Sequence, residues 1–210
     1  GRTGASLDMG NYCGPKVRLS RSLGVPIAET PKHINLKRTT RPGQHGFRPV
    51  RRTLYGRQLA EKQKLAFYYN VRNTQLHRYL EQAGKSKGNT QEALQQLLES
   101  RLDNVIRRCG WARTIWQARQ LVAHGHFLVN GKKVDRPGLG VSAGDMINVK
   151  DKSKAFIKGC AEMCADAVVP SWLAVDTSKG EAQVTRLPNP EDVRLPFEVD
   201  YARVIEFYTR

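Results

Sequence analysis

From Trp111 to Val134 the chain reads WARTIWQARQLVAHGHFLVNGKKV, and its polar side chains are nearly all hydrogen-bond donors or cations. Arg119, Gln120, His124 and His126 cluster toward the end of a helical stretch, and Asn130, Lys132 and Lys133 stand at a turn. Lysine and arginine neutralise phosphates and release counterions. Gln, Asn and His add directional hydrogen bonds to phosphate or ribose oxygens. A turn that gathers these groups would make one concave donor surface. The competing reading is a solvated basic face around a structural turn, and the scarcity of acids weighs against it. DNA stays open on charge alone, although a helix-turn-helix reader needs no hairpin after its two helices.

Bond-making chemistry finds little support. The isolated acids stand at a helix start (Asp103), in turns (Asp135, Asp145) or in an acidic tail. Turn chemistry accounts for Asp135, just after the hairpin, better than catalysis does. There is no Gly-rich phosphate loop of P-loop or dinucleotide type, and no Ser, Cys or Lys has a convincing base partner. Cys13, Cys109, Cys160 and Cys164 form no CxxC pair, so they read as small buried apolar residues before they read as a metal site.

The whole chain extends the donor surface. Lys and Arg total 35 against 19 acids, a formal charge of +16 over 210 residues. Residues 1–80 carry +13, residues 81–158 carry +7 and residues 159–210 carry −4, which sum to +16. The N-terminal half therefore faces phosphate and the tail faces water or protein. No apolar run approaches the roughly 20 residues that span a bilayer, and no hydrophobic signal core follows the start. The cationic start is too short and uneven to read as an organelle transit peptide.

The elements that must position these groups follow from caps and periodicity. Pro15, Pro26, Pro31, Pro42 and Pro49 break up residues 1–50, which read as an irregular basic arm that orders on a polyanion. Thr53 caps a helix, a second runs from about Val71 to Ala83, and Thr90 caps a third. Ser100-Arg-Leu-Asp103 and Thr114-Ile-Trp-Gln117 are capping signatures. They predict helices that bury Leu102, Val105 and Ile106, then Ile115, Ala118, Leu121 and Val122. Arg101, Asn104 and Arg108 fall on the outer face of the first. Gly125 stops the second, and Phe127–Val134 is a hairpin turning at Asn130-Gly131. A strand at Met146–Val149, a helix at Lys154–Ala165 and short strands at Trp172–Val175 and Gln183–Leu187 follow. Arg203–Tyr208 is apolar enough to pack back on the body.

The strings Glu99-Ser-Arg-Leu-Asp-Asn-Val105, Ala118-Arg-Gln-Leu-Val122, His124-Gly-His126 and Val129-Asn-Gly131 resemble the RNA-binding module named after small-subunit ribosomal protein four. The likeness to that family runs through Asn11-Tyr-Cys-Gly-Pro15, Arg41-Pro-Gly-Gln-His-Gly46, Tyr55-Gly-x-Gln-Leu59, Glu61-Lys-Gln-Lys64, Pro170-Ser-Trp-Leu173 and Glu206-Phe-Tyr-Thr-Arg210. The resemblance implies an α+β protein: a mostly helical first domain interrupted by a small helix-plus-antiparallel-sheet module, with an extended basic N-terminal arm. The expected division is an arm over 1–50, a helical domain over 51–98 and 188–210, and the module over 99–187.

It also implies a structural component of the small ribosomal subunit, without enzymatic activity or cofactor. Such a protein is a primary binder of small-subunit rRNA at a junction in the 5′ domain. It nucleates assembly, lines the path where messenger RNA enters beside small-subunit proteins five and three, and contributes to accuracy. The setting would be cytoplasmic or organellar ribosomes, with no membrane. The RNA contacts it implies are Arg41, Gln44, His45, Tyr55, Gln58, Lys62 and Lys64 in the first domain. In the module they are Arg119, Gln120, His124, His126, Asn130, Gly131 and Lys132. Arg48, Arg51 and Arg52 would face the messenger. Arg38, Arg101, Asn104 and Arg113 complete the expected set.

Two departures stand out. Val17 and Ser20 occupy positions where many relatives carry thiols, leaving Cys13 alone, so no metal is expected there. Ile115 and Trp116 replace a usual Arg-Ala, so Arg113 would substitute as an RNA contact or Trp116 would stack on a base or ribose. The remaining alternatives are an RNA-modifying enzyme that docks through the module, and a free heat-shock-type RNA factor, which would be smaller and lack the Arg41–Gly46 segment.

Overall fold

The computed structural model describes residues 12, 14–28, 30–35, 38–48, 51–86, 88–164 and 168–209. Asn11, Cys13, Pro49, Ala165 and Arg210, named above, lie outside that set. In chain order the elements are α1 (Lys16–Leu23), α2 (Pro31–Ile34), α3 (Leu54–Tyr68), α4 (Asn73–Gly84), α5 (Thr90–Glu99), α6 (Leu102–Arg108), α7 (Ile115–Ala123), β1 (Phe127–Val129), β2 (Lys132–Val134), β3 (Met146–Val149), α8 (Lys154–Glu162), β4 (Leu173–Asp176), β5 (Glu181–Val184) and α9 (Tyr201–Thr209). The class is α+β. The described residues form two compact units. One comprises those up to Gln91 together with Leu195 onward, and the other is Glu92–Arg194. The division thus falls at 91/92 and 194/195 rather than at 98/99 and 187/188. On the C-terminal side, Arg186 ties the following segment to its own unit, donating to both oxygens of Asp192 and to Ser171 Oγ at 2.6, 2.9 and 3.0 Å.

In the first unit, residues 16–34 hold two short helices where the sequence suggested an irregular arm. The prolines limit their length without forbidding them, because two stand at helix starts and Pro26 lies between the helices. Pro15 is the residue before α1 and Pro31 is the first residue of α2. Ser20, Leu23, Ile27, Ala28 and His33 are buried there. Tyr12 packs edge-on against Phe67 at 5.5 Å. The α3 start matches its signature, since Thr53 Oγ1 accepts from the Gly56 N–H at 3.2 Å. Leu65, Tyr68, Tyr69 and Leu76 fill the core, and Tyr68 meets Phe197 edge-on at 5.5 Å. α9 lies against α3. Gln58 donates to Glu206 at 2.9 Å, while Lys62 and Tyr208 both donate to Asn73 Oδ1, at 2.9 and 2.7 Å. Burial pushes the Tyr208 hydroxyl pKa well up.

The second unit is a five-stranded antiparallel sheet in the order β2-β1-β3-β5-β4, with α6, α7 and α8 packed around its core. The inner strand β1, between β2 and β3, alternates: Phe127 and Val129 are buried and Leu128 half-buried. Phe127 pairs with Val134 on one side and Val149 on the other. Asn130 and Gly131 both have positive φ, 49° and 77°, the requirement of a primed two-residue turn. β4 and β5 are each shifted from the expected strands. Gly180, at φ 71°, closes the turn between them, and Arg186 has left the strand for Asp192.

Two helix starts differ from their signatures. Asn89, not Thr90, caps α5, its Oδ1 accepting from Gln91 N at 3.0 Å. Ser100 does not cap α6, because its hydroxyl turns back to the Leu97 carbonyl. The free N–H groups of that helix are satisfied by a distant loop segment instead. Leu102 N donates to Leu139 O at 2.8 Å and Asp103 N to Pro137 O at 3.1 Å, beside an Arg101–Gly140 bridge. The helix is therefore roofed on the side expected to face solvent, and Arg101 and Asn104 are buried.

Candidate nucleic-acid interface

Two donor-rich surfaces exist, one in each unit. In the second unit, α7 begins at the Thr114 cap, whose Oγ1 accepts from Gln117 N at 3.2 Å. Gln120 and His124 are exposed at its far end and Arg113 at its near end. His126 is half-buried, with Nδ1 2.8 Å from Ser153 Oγ and its ring 6.1 Å from that of His124. Gly131, Lys132 and Lys133 are exposed on the hairpin. The hairpin folds back over the end of α7. A Cβ at Gly125 would meet Lys133 Cε at 2.7 Å, and φ there is already +69°. The stem of Lys133 thus lies on the Gly125 backbone, between His124 and His126 in the chain. Asn130, also exposed, spends its amide internally. Nδ2 donates to Asp145 at 2.8 Å and Oδ1 accepts from Met146 N at 2.9 Å. Its side chain fixes the hairpin tip on β3.

Arg119 is held from below. Asp103 is fully buried and accepts from Arg101 Nη2 at 2.7 Å, Arg101 Nε at 3.1 Å and Asn104 N at 2.9 Å, with Arg119 Nη1 at 3.5 Å. One carboxylate thus meets two guanidiniums, and the Arg119 side chain keeps 25% of its surface exposed. Glu99, equally buried, takes Arg108 through two hydrogen bonds at 2.9 and 3.1 Å, and Asn104 at 2.7 Å. Charged pairs of this kind hold only when their remaining hydrogen bonds are met.

In the first unit, Arg38, Arg41, Gln44, His45, Arg48 and Arg51 are exposed and Arg52 is half-buried. The loop that carries them is pinned by Arg21 of α1, whose Nε donates to the Thr40 carbonyl at 2.9 Å and Nη2 to the Arg41 carbonyl at 3.4 Å. Gly46 N reaches back to Gly43 O and Arg48 N to His45 O. A Cβ at Gly46 would sit 1.9 Å from the Arg41 carbonyl oxygen, so the loop closes only around glycine. Tyr55 is exposed and tilts against Phe207 at 5.7 Å. Phe47 is more exposed still, at 73%.

Four expected contact residues do not face outward. Gln58, Lys62, Arg101 and Asn104 are buried, with donors committed to Glu206, Asn73, Asp103 and Glu99. Lys62 also lies over the Phe207 ring at 4.8 Å. Lys64 is largely covered and pairs with Glu61 at 2.7 Å. These strings hold helices together, a role that residue type alone does not distinguish from RNA contact. Conversely, Arg21 and Phe47 belong to the surfaces and were not singled out as contacts. Arg21 acts through carbonyls 19 and 20 residues away, which leaves no local signal.

No group of three or more His, Cys, Asp and Glu among the described residues is placed to hold a metal ion. None of the helices in those residues is long and apolar enough to cross a membrane.

Comparison with known proteins covers the chain almost end to end. Residues 11–99 match the family described as ribosomal protein S4/S9 N-terminal domain, and residues 100–147 match the S4 domain. Small ribosomal subunit protein uS4 of Sulfurihydrogenibium sp. (strain YO3AOP1) is 46% identical over 206 residues, covering 96% of this chain and 100% of the relative. The uS4 of Aquifex aeolicus (strain VF5) is 46% identical over 211 residues with the same coverage. That of Geobacillus stearothermophilus is 44% identical over 205.

Proposed function

The chain belongs to the family of small ribosomal subunit protein uS4, structural proteins of the ribosome rather than enzymes, and on that premise we propose that it binds folded small-subunit rRNA through both donor surfaces at once. The observation that carries this reading is the pairing of an Arg-rich loop closed around Gly46 with a hairpin laid over Gly125. Each presents cations on a backbone held in one geometry. Donors fixed in this way suit phosphate and ribose oxygens, so recognition rests on RNA shape more than on base sequence.

Within the ribosome, cytoplasmic or organellar, the RNA site is a junction in the 5′ domain. Binding there nucleates assembly. Arg48, Arg51 and Arg52 face the path where messenger RNA enters and contribute to accuracy, and small-subunit proteins five and three are neighbours. Footprinting of small-subunit rRNA with and without the protein tests the site, and a salt titration tests the mode. Log affinity should fall linearly with log salt, by roughly 0.7–0.9 per phosphate neutralised. A flat salt response, or protection spread evenly over the RNA, would overturn the reading.

A further inference from the structure

Of the Phe, Tyr and Trp side chains among the described residues, Phe47, Tyr55 and Phe156 are exposed, Phe47 the most, at 73%. Two of these rings have company. Tyr55 tilts against Phe207 at 5.7 Å, and Phe156 lies 6.1 Å from the His126 ring. Phe47 has no ring or cation–π contact among the described residues. A phenyl ring offers water no polar atom, so its exposure gives the folded unit nothing.

The backbone nevertheless holds Phe47 in place. It is the third residue of a turn closed from Arg48 N to His45 O at 3.1 Å, and Gly46 N reaches Gly43 O at 3.4 Å just before it. Arg21 anchors the same loop through the carbonyls of Thr40 and Arg41. The neighbours decide what suits the ring. Arg41, His45 and Arg48 are exposed in this loop, and the chain carries no acid between Glu29 and Glu61. A protein pocket closing on Phe47 would need carboxylates to answer those cations. One strand of RNA supplies both a ring and the phosphates. Bases within an A-form duplex already stack on one another, so the ring must come from an unpaired nucleotide.

We propose that Phe47 stacks on the base of one unpaired nucleotide, whose flanking phosphates lie on Arg41 and Arg48. The proposal rests on the RNA-binding reading and names the single-stranded element that the first donor surface takes. Stacking on an aromatic ring accepts any base, so the contact selects an unstacked nucleotide rather than a sequence.

The test uses the full chain and small-subunit rRNA free of other proteins. Phe47→Leu keeps an apolar side chain and removes the ring. Affinity should fall about tenfold, the loss of one base–aromatic stack. Tm should stay the same because the position is exposed, and the slope of log affinity against log salt should stay the same because no cation is removed. In Phe47→Trp the new indole should be quenched as rRNA binds, beyond any change in the wild-type chain with its Trp111, Trp116 and Trp172. The proposal is overturned by an affinity of Phe47→Leu within about twofold of wild type, or by no added quenching in Phe47→Trp. A fall in affinity with a shallower salt slope also overturns it, because the loss would then lie with the cations of the loop. Normal binding of Phe47→Leu to bare rRNA, with loss only from assembled small subunits, would assign the ring to a protein neighbour instead. Intact rRNA binding by Phe47→Leu sinks the stack alone. A wild-type chain that fails to bind rRNA sinks the wider reading and the stack with it.

Discussion

The two donor surfaces are built in opposite ways. The hairpin surface of the second unit stands on a sheet and on a buried ionic cluster. Asp103 there is fully covered, and the positive φ of Asn130 and Gly131 fixes the tip. The Arg41–Arg48 loop of the first unit has no such foundation. Backbone turns, one glycine and the guanidinium of Arg21 shape it, and nearly all its side chains are exposed. The first design fixes cations by packing, so damage to it unfolds the unit. The second fixes them by a few surface hydrogen bonds, so damage to it costs binding while the fold survives.

Asp103→Ala puts the sharpest strain on that contrast. It takes from Arg101, whose side chain is only 4% exposed, the carboxylate held at 2.7 Å, and from Arg119 the contact at 3.5 Å. Removing one partner of a buried pair costs about 3–5 kcal/mol. Urea unfolding of the full chain should show that loss in the transition reporting on the sheet. A loss below about 1 kcal/mol, as for a surface pair, would mean that the cluster does not support the hairpin surface.

Gly46→Ala is the matching probe of the loop. The new Cβ collides with the Arg41 carbonyl, so the closure must open. Global stability should change by less than about 1 kcal/mol, as for surface positions, while rRNA affinity falls about tenfold or more as several cations lose their shared frame. Arg21→Ala should act in the same direction by a smaller amount, since the hydrogen bonds it removes are exposed. If either variant lowers Tm as Asp103→Ala does, the loop is part of the fold and the contrast collapses.

These probes also mark what the sequence could reveal. The Thr53 and Thr114 caps, the Asn130-Gly131 hairpin and the Met146–Val149 strand are local signals, and each appears where its residues stand. The exposed cations of the loop and hairpin were legible from charge. The outer face assigned to Arg101 and Asn104 was not, because helical periodicity predicts sides and the covering segment, Pro137–Val141, comes from more than thirty residues downstream. The same holds for Gln58 and Lys62, whose partners Glu206 and Asn73 are brought in by packing of α3 with α9 and α4. Polar residues in a distinctive string carry no mark that separates an RNA contact from a brace between helices.

Glu206→Ala tests that distinction directly. Gln58 is already buried with Oε1 unpartnered among the described residues, and the substitution strips its Nε2 of an acceptor as well. Stability should fall by about 1–3 kcal/mol, the cost of a stranded buried group, with rRNA affinity nearly unchanged. A fall in affinity with stability intact would return Gln58 to the RNA surface.

The smallest expected effect is a pH dependence confined to the base of the loop. Ser20 is fully buried, accepts from Ile27 N at 3.2 Å and lies 2.6 Å from His33 Nδ1. Ser20 Oγ and His33 Nδ1 thus share one buried hydrogen bond beside the one from Ile27. Burial first, and Lys16 second, lower the His33 pKa below its usual 6.5. The unfolded chain therefore binds the extra proton first as pH falls, and stability is present above about 6.5 and lost below it. Asp151, Asp176 and Asp192 are all held below the usual carboxylate range, Asp192 at about 2 under the Arg186 guanidinium. They are charged in both states throughout this window. Lowering the pH from about 7.5 to about 5.5 should speed amide hydrogen exchange in α1, after correction for intrinsic rates, and leave the sheet amides of the second unit unaffected. His33→Gln should flatten that response. An equal acceleration in both units would show that the two surfaces share one stability after all, and that the arm is no more loosely founded than the hairpin.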